Sequence, residues 1–427
     1  MKRITLLLTI FAVATLAATA QQSYDLAPRG VEPARPRFIP THRMTDAISG
    51  NYSASRFVAE LAKPTVNNDS YTTSFFLPVH WLNRQIILRV AYASSAFTVT
   101  VNGHEVGFAP SGVMGTEFNI TKAAKDDDNE VVIKLNRDSE ANKLYPKSEA
   151  VVEGIEIYTQ PTIRMRDVVS KVTINEQGSP LAEVAVPIKC DALNRKECRV
   201  HYALRLNDTI LLAEGYRDFA LDMRREDTLR FACVVPPTAL WNHKSPTRVR
   251  LDLESRVEGR IIECLSRTFG LRQLTLEEGI LHVNKEIVAL NLIDIEKVKN
   301  LAKVAKSGYN GVVVTLDRGA YDVIEECEKL GLFVVVRTPI NTTQLGDHIR
   351  RGGNPSNDLV WSESYLWRNM HVLHSLKGSA AVVGFEIAQG TTSGINIYDT
   401  YIMMKSLAPH HLILYRGAEG EWATDKY

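Results

Sequence analysis

The sequence predicts a multidomain protein, β in its first two thirds and α/β in its last third. Three observations carry that reading. Between about 52 and 268, short runs alternate apolar and polar residues and are separated by turn formers, the pattern of half-buried strands. From about 287 onward, near-continuous apolar runs alternate with amphipathic stretches of helical length, the pattern of a parallel sheet with its helices. The chain has 427 residues, enough for about two to four domains.

The elements follow in order. Lys2 and Arg3 open a basic start, residues 4–18 are apolar, and A-T-A over 18–20 offers a cleavage site. Residues 1–20 therefore read as a secretory signal peptide. The run is too short and too rich in Ala and Thr for a membrane span, and no cysteine follows it for a lipid anchor. The expectation is an exported protein without a transmembrane segment, in the periplasm or at the cell surface of a Gram-negative-type bacterium. Residues 21–51 carry Pro28, Pro33, Pro36 and Pro40 and read as an extended arm or tether.

Residues 52–161 hold strand-like runs at 72–77, 85–92, 97–101, 131–135 and 154–158. Asn102-Gly103 between two of them is a hairpin signal. The acidic run D-D-D-N over 126–129 reads as a solvated loop. An all-β sandwich follows. Residues 162–268 repeat the pattern, with runs at 182–189, 199–206, 228–234, 247–253 and 260–266, and read as a second sandwich. In residues 269–427, strands are expected at 287–293, 311–316, 332–339, 381–388 and 412–415. Helices are expected at 295–307, 320–330, 361–376 and 395–406.

Charge and cysteine content narrow the function classes. The chain carries 50 Lys+Arg against 49 Asp+Glu, and no basic stripe points to nucleic acid. Cys190, Cys198, Cys233, Cys264 and Cys327 are an odd set. Cys190 and Cys198 flank a short connection and are a candidate disulfide. Cys233 and Cys264 are a second candidate pair, and buried thiols are the alternative. No zinc spacing is present, so neither a metal nor a cofactor is expected.

Several motifs resemble glycoside hydrolase family 2, the β-galactosidase and β-glucuronidase family. S-A-F-T-V-T-V-N-G-H-E-V-G-F-A-P-S-G-V-M-G-T-E-F-N-I-T over 95–121, preceded by L-P-V-H-W over 77–81, is similar to that family's jelly-roll domain. R-M-R-D-V over 164–168 resembles its entry into an immunoglobulin-like domain. T-F-G-L-R over 268–272 and I-L-H-V-N-K over 280–285 resemble its passage into a (β/α) barrel. A-A-V-V-G-F-E-I-A-Q-G-T-T-S-G over 380–394 resembles the fourth barrel strand. The resemblance implies a jelly-roll β-sandwich, an immunoglobulin-like β-sandwich and an incomplete (β/α) barrel of about five strands.

The same alignment removes the family's chemistry. A retaining glycosidase needs two carboxyl groups flanking the scissile bond, at the C-terminal ends of barrel strands. The resemblance puts the acid/base glutamate at Gly390, which has no side chain. It puts the nucleophile on a seventh strand, beyond the five expected here. V-V-T-L-D-R over 313–318 and V-R-T-P-I-N over 336–341 replace the family's polar motifs after its second and third strands. No catalytic residue is therefore assigned. Glu386 has the right side-chain parity but lies about 13 Å below Gly390 if the strand runs on at ~3.3 Å per residue. It reads as a buried structural acid. Asp317, beside Arg318, is better placed but also reads as a solvated loop pair.

Gln389, Asn341, Arg337, Asn291 and Asp317 are the candidate ligand-binding residues, lining a sugar cleft without turnover. A polar strand end facing water explains the same residues without a ligand. Five strands cannot close a barrel, so exposed sheet edges and an uncovered apolar face are expected. A protein partner or self-association would cover them. Three functions stay open: a non-catalytic binding or scaffold subunit in a cell-envelope complex, an active exo-glycosidase hydrolysing O-glycosidic bonds, and a simple carbohydrate-binding protein.

Overall fold

The computed structural model describes residues 25–425, apart from 53–54, 223–224, 346–353, 391–392 and 419–421. The expected signal peptide, 1–20, lies outside the described residues. Two antiparallel sheets form the first sandwich. One runs Thr65–Asn67, Ser70–Phe76, Asp128–Leu135, Phe97–Val101, His104–Ala109. The other runs Thr116–Asn119, Gln85–Ala93, Val152–Gln160. Alternate residues point inward, so Phe97, Val99 and Val101 meet Ile86, Leu88, Val90 and Phe118 in one apolar core. The Asn102-Gly103 hairpin forms as expected, with φ of 51° and 79°. Both values are left-handed, as a two-residue turn matching strand twist requires.

The acidic run is not simply a solvated loop. Asn129 is fully buried. Its Oδ1 accepts from the Lys125 N–H at 2.7 Å and from Asn102 Nδ2 at 2.8 Å, and its own Nδ2 donates to the Asp127 and Lys125 carbonyls. One buried amide satisfies a whole turn, an arrangement that local polarity does not advertise.

The proline-rich segment is not a free tether either. Arg29 exchanges both backbone hydrogen bonds with Phe108, and Thr41 does the same with Cys264. Phe38 is buried in the core of the second sandwich. Arg35 is buried against Glu117, Tyr158 and Gln160 at 2.8, 2.8 and 3.1 Å. Proline keeps the backbone extended, while Leu26, Phe38 and Ile39 gain by leaving water. The segment therefore staples the two sandwiches together.

The second sandwich packs the sheet Val169–Ile174, Pro180–Cys190, Glu226–Val234 against the sheet Ile210–Leu221, Lys196–Leu206, Val249–Val257, Arg260–Phe269. Pro180–Cys190 and Lys196–Leu206 belong to different sheets, so the link between Cys190 and Cys198 crosses the sandwich and is no hairpin. All five cysteines are free thiols, which corrects the Cys190–Cys198 and Cys233–Cys264 pairings. Burial raises their pKa, that of Cys198 to about 12. They serve as small apolar groups.

A three-stranded antiparallel meander, Leu274–Glu277, Ile280–Val283 and Glu286–Ile287, leads into a parallel five-stranded sheet. Its strands are β1 (Leu292–Asp294), β2 (Gly311–Thr315), β3 (Phe333–Arg337), β4 (Val382–Glu386) and β5 (Leu412–Leu414), paired in chain order. The helices α1 (Ala320–Leu330), α2 (Ser362–Leu376) and α3 (Ile395–Leu407) connect β2 to β3, β3 to β4 and β4 to β5. α1 buries Ala320, Ile324 and Cys327 at helical spacing and ends on Gly331, whose φ of 76° forms a left-handed cap.

The helix expected over 295–307 does not form. Three separate 3-10 turns stand there, Ile295–Lys297, Leu301–Lys303 and Ala305–Ser307. Ile295, Val298, Leu301 and Val304 recur every third residue, the period of a 3-10 turn and not the 3.6 of an α-helix. Val298 and Asn300 also adopt extended backbone.

The sheet is not left bare. β3, β4 and β5 are buried throughout, and β2 in all but its last residue. The free edge of β5 is occupied by the chain's own tail. The Asp425 N–H donates to the Ile413 carbonyl at 2.8 Å, Asp425 Oδ2 accepts the Ile413 N–H at 2.8 Å, and Thr424 Oγ1 accepts the Tyr415 N–H at 3.0 Å. This corrects the expectation of an uncovered inner face, and of an open edge at β5. β1, at the other edge, stays half-exposed. One core joins this layer to the first sandwich, taking in Phe108, Met114 and Leu144. The buried Arg368 of α2 donates to the Pro339 carbonyl of its own layer and, across that seam, to the Pro110 and Ala141 carbonyls. Among the described residues no helix is long and apolar enough to cross a membrane.

Candidate functional site

In a parallel α/β layer, ligands meet the carboxyl ends of the strands. β1 ends on Asp294, β2 on Thr315, β3 on Arg337 and β4 on Glu386, while Arg416 follows β5. The register sets Thr315, Arg337 and Glu386 side by side. Arg337 Nε donates to Glu386 Oε2 at 2.8 Å. Its Nη1 donates to Asp294 Oδ2 at 3.2 Å and to Thr315 Oγ1 at 3.3 Å. Arg416 Nε stands 3.3 Å from the other Glu386 oxygen. Arg337 is 3% exposed and Glu386 1%. Burial opposes the Arg337 charge, but the Glu386 and Asp294 carboxylates outweigh it and raise the arginine pKa. The strand ends therefore close into a neutralised chain of alternating charge.

Each candidate residue can now be placed. Arg337 is at the expected strand end, buried, with its guanidinium bonded to two carboxylates. Glu386 is the last residue of β4 and not deep in a longer strand, because the chain leaves the sheet after it. Asp317 accepts from the Tyr145 hydroxyl at 2.8 Å and from Lys147 Nζ. The Arg318 side chain instead meets Glu153 and Glu149. Asp317 thus ties a loop of the first sandwich to β2, and of Arg318 it meets only the backbone N–H, at 2.8 Å from its Oδ1. Asn341 and Gln389 form a bridge, with Asn341 Nδ2 3.4 Å from Gln389 Oε1. Asn341 Oδ1 also accepts from Thr343.

Asn291 lies elsewhere. It precedes β1, is exposed, and donates to the Gly308 carbonyl at 2.9 Å. β1 starts at Leu292, so Asn291 is at the amino end of the sheet, opposite the other candidates. It is corrected to a turn residue. Asp294, Thr315 and Arg416 were missed. Their only local signal is a polar side chain at or just past the end of an apolar run.

Gly390 has no room for a side chain. A Cβ there would stand 2.7 Å from Thr342 Oγ1 and 2.9 Å from the Tyr415 hydroxyl. Tyr415 is buried. Among the described residues no cluster of His, Cys, Asp and Glu could hold a metal ion.

Comparison with known proteins bears on this arrangement. Residues 36–162 match the family described as glycosyl hydrolases family 2, sugar binding domain. The β-galactosidase of Priestia megaterium is 21% identical over 379 residues, covering 81% of this chain and 36% of the relative. That of Lactobacillus delbrueckii subsp. bulgaricus is 21% identical over 350 residues, covering 76% and 34%. The chain thus spans about a third of the length of these curated relatives. Among solved structures, Bacteroides uniformis β-glucuronidase 2 superposes with a TM-score of 0.65 at 14% identity, over 81% of this chain and 46% of that one. A putative β-galactosidase from Bacteroides fragilis gives 0.66 at 13% identity, over 81% and 55%. These two show likeness of fold. The matched sugar-binding domain and the curated relatives, rather than these structures, support glycosyl hydrolase family 2 for this chain.

Proposed function

We propose that this chain is an exported, non-catalytic member of its family, working as a binding or scaffold subunit in a cell-envelope complex. The observation that carries this reading is Gly390. The position of the acid/base glutamate holds no carboxyl, and Thr342 and Tyr415 fill the space where its side chain would begin. The neighbouring acids support it. Glu386 is buried between Arg337 and Arg416, and Asp317 is held by Tyr145 and Lys147. A retaining mechanism needs one carboxyl free to attack and one free to donate a proton. In this reading the second sandwich is immunoglobulin-like and orients its neighbours. The parallel sheet is the five-stranded part of a (β/α) barrel, turned from chemistry to support. The apolar N-terminal run and the A-T-A site support export.

The test is an assay of residues 21–427 with chromogenic β-galactosides and β-glucuronides. The expected result is no turnover above the blank. Turnover that disappears in Glu386→Gln or Asp317→Asn would overturn the proposal in favour of an exo-glycosidase. The matched sugar-binding domain favours glycan recognition as the form of binding, and Gln389 keeps the amide chemistry for it. A glycan array compared with Gln389→Ala tests that part.

A further inference from the structure

The opposite end of the α/β layer carries a feature that this reading does not use. A cavity of about 480 Å³ lies between the second sandwich, the segment leading into the meander, and the amino ends of β4 and β5. Its walls include Lys171, Arg272, His374, Lys377, His410 and His411. They come from separate elements. Lys171 is on Val169–Ile174, Arg272 follows Arg260–Phe269, His374 and Lys377 close α2, and the two histidines precede β5. Three permanently charged residues and three histidines thus line one space. Asp167 is the acid in its lining, and that carboxylate accepts from Arg267 Nη1 at 3.3 Å and from the Val168 N–H at 2.7 Å.

The balance of partners points the same way. Arg272 Nη2 is anchored on the Ser379 and Val382 carbonyls, but its Nη1 is buried without a partner. Both ring nitrogens of His411 are likewise buried and unpartnered. Buried polar groups are as a rule hydrogen-bonded, and each exception asks for a missing acceptor or donor. Glu328 lies close to Arg272, yet its oxygens take the Gly270 and Ala380 N–H groups and the Ser379 hydroxyl.

We infer that this cavity is a second binding site, taking a small molecule that bears a phosphate or sulfate group. A tetrahedral oxyanion has several acceptor oxygens and suits donors that converge from different elements. The volume falls within the usual range for small-molecule pockets. It leaves room for the sugar or other group that carries the anion.

The experiment uses residues 21–427 in low-salt buffer. Titration calorimetry is run with inorganic phosphate, inorganic sulfate, a hexose phosphate, a hexose sulfate and the uncharged hexose. Saturable binding of the phosphate and sulfate compounds is expected, with none of the uncharged hexose. Lys377→Ala and Lys171→Ala should each weaken it about tenfold, the loss expected for one charge-assisted contact. Lys171 is exposed and Lys377 half-buried, so the variants should fold, which circular dichroism checks. A hexose ester tighter than the free anion assigns the source as an esterified ligand, and equal affinity assigns the free ion. Absence of saturable binding, or affinity unchanged in both lysine variants, overturns the site.

Discussion

Replacing Arg337 with methionine tests whether the strand ends are a structural charge network. Methionine keeps the length of the arginine stem and removes the guanidinium. Glu386, 1% exposed, then loses its 2.8 Å partner and keeps only Arg416. The Arg416 side chain is 55% exposed, so solvent and salt screen it. A carboxylate buried beside one screened cation is close to unpaired, and breaking such a pair costs about 3–5 kcal/mol. Asp294 is partly exposed and recovers water, so it adds little. The double variant Arg337→Met with Glu386→Leu removes both charges and should recover most of the loss, because apolar replacement of a whole buried pair is about neutral. Urea unfolding at pH 7 of wild type, both single variants and the double variant gives the coupling energy. A single-variant cost below about 1 kcal/mol, or a double variant no better than Arg337→Met, would refute the reasoning.

Further outcomes are expected. Asp425→Ala removes acceptors from Tyr401, Lys405 and the Ile413 N–H. It should cost about 1–3 kcal/mol and promote self-association through the uncovered edge. Size-exclusion chromatography reads the second effect, and an unchanged elution with unchanged stability would contradict the edge-cap account. Gly390→Ala places a methyl against Thr342 and Tyr415 and should destabilise by about 1–3 kcal/mol, where an open cleft would accept it freely. His371 is buried, which lowers its pKa to about 4 against backbone contacts with Met114 and Gly115 that raise it. Its unfolded value is about 6.5. Since the folded value is the lower, its contribution is complete above pH 6.5 and is lost as pH falls towards 4, on the order of 3 kcal/mol in all. His371→Gln should therefore flatten the fall in urea stability between pH 7 and 4.5, and an unchanged slope would rule that source out.

The strands were legible because their signal is local. Alternation in Phe97–Val101 and the continuous apolar runs of β2 to β5 reflect which faces leave water, and each element reports on its own burial. The Asn102-Gly103 turn was legible because few residue pairs accept two positive φ values. The absence of a carboxyl at Gly390 was legible because it is a matter of residue type alone. The helix expected over 295–307 failed on a local signal misread, a period of three taken for 3.6.

What the sequence by itself determined, then, is the succession of two β modules and an α/β module, and the absence of a side chain at 390. Only the tertiary structure decided what those parts do to one another. It paired Arg337 with Glu386 and Asp294, put Asn291 at the wrong end of the sheet, drew the proline-rich segment across two sandwiches, and turned Asp425 back onto β5. It also gathered cations from separate elements around one cavity. The physical reason is range. Periodicity and turn chemistry act between neighbours in the chain. Electrostatic pairing and the satisfaction of buried groups act between neighbours in space, here up to hundreds of residues apart.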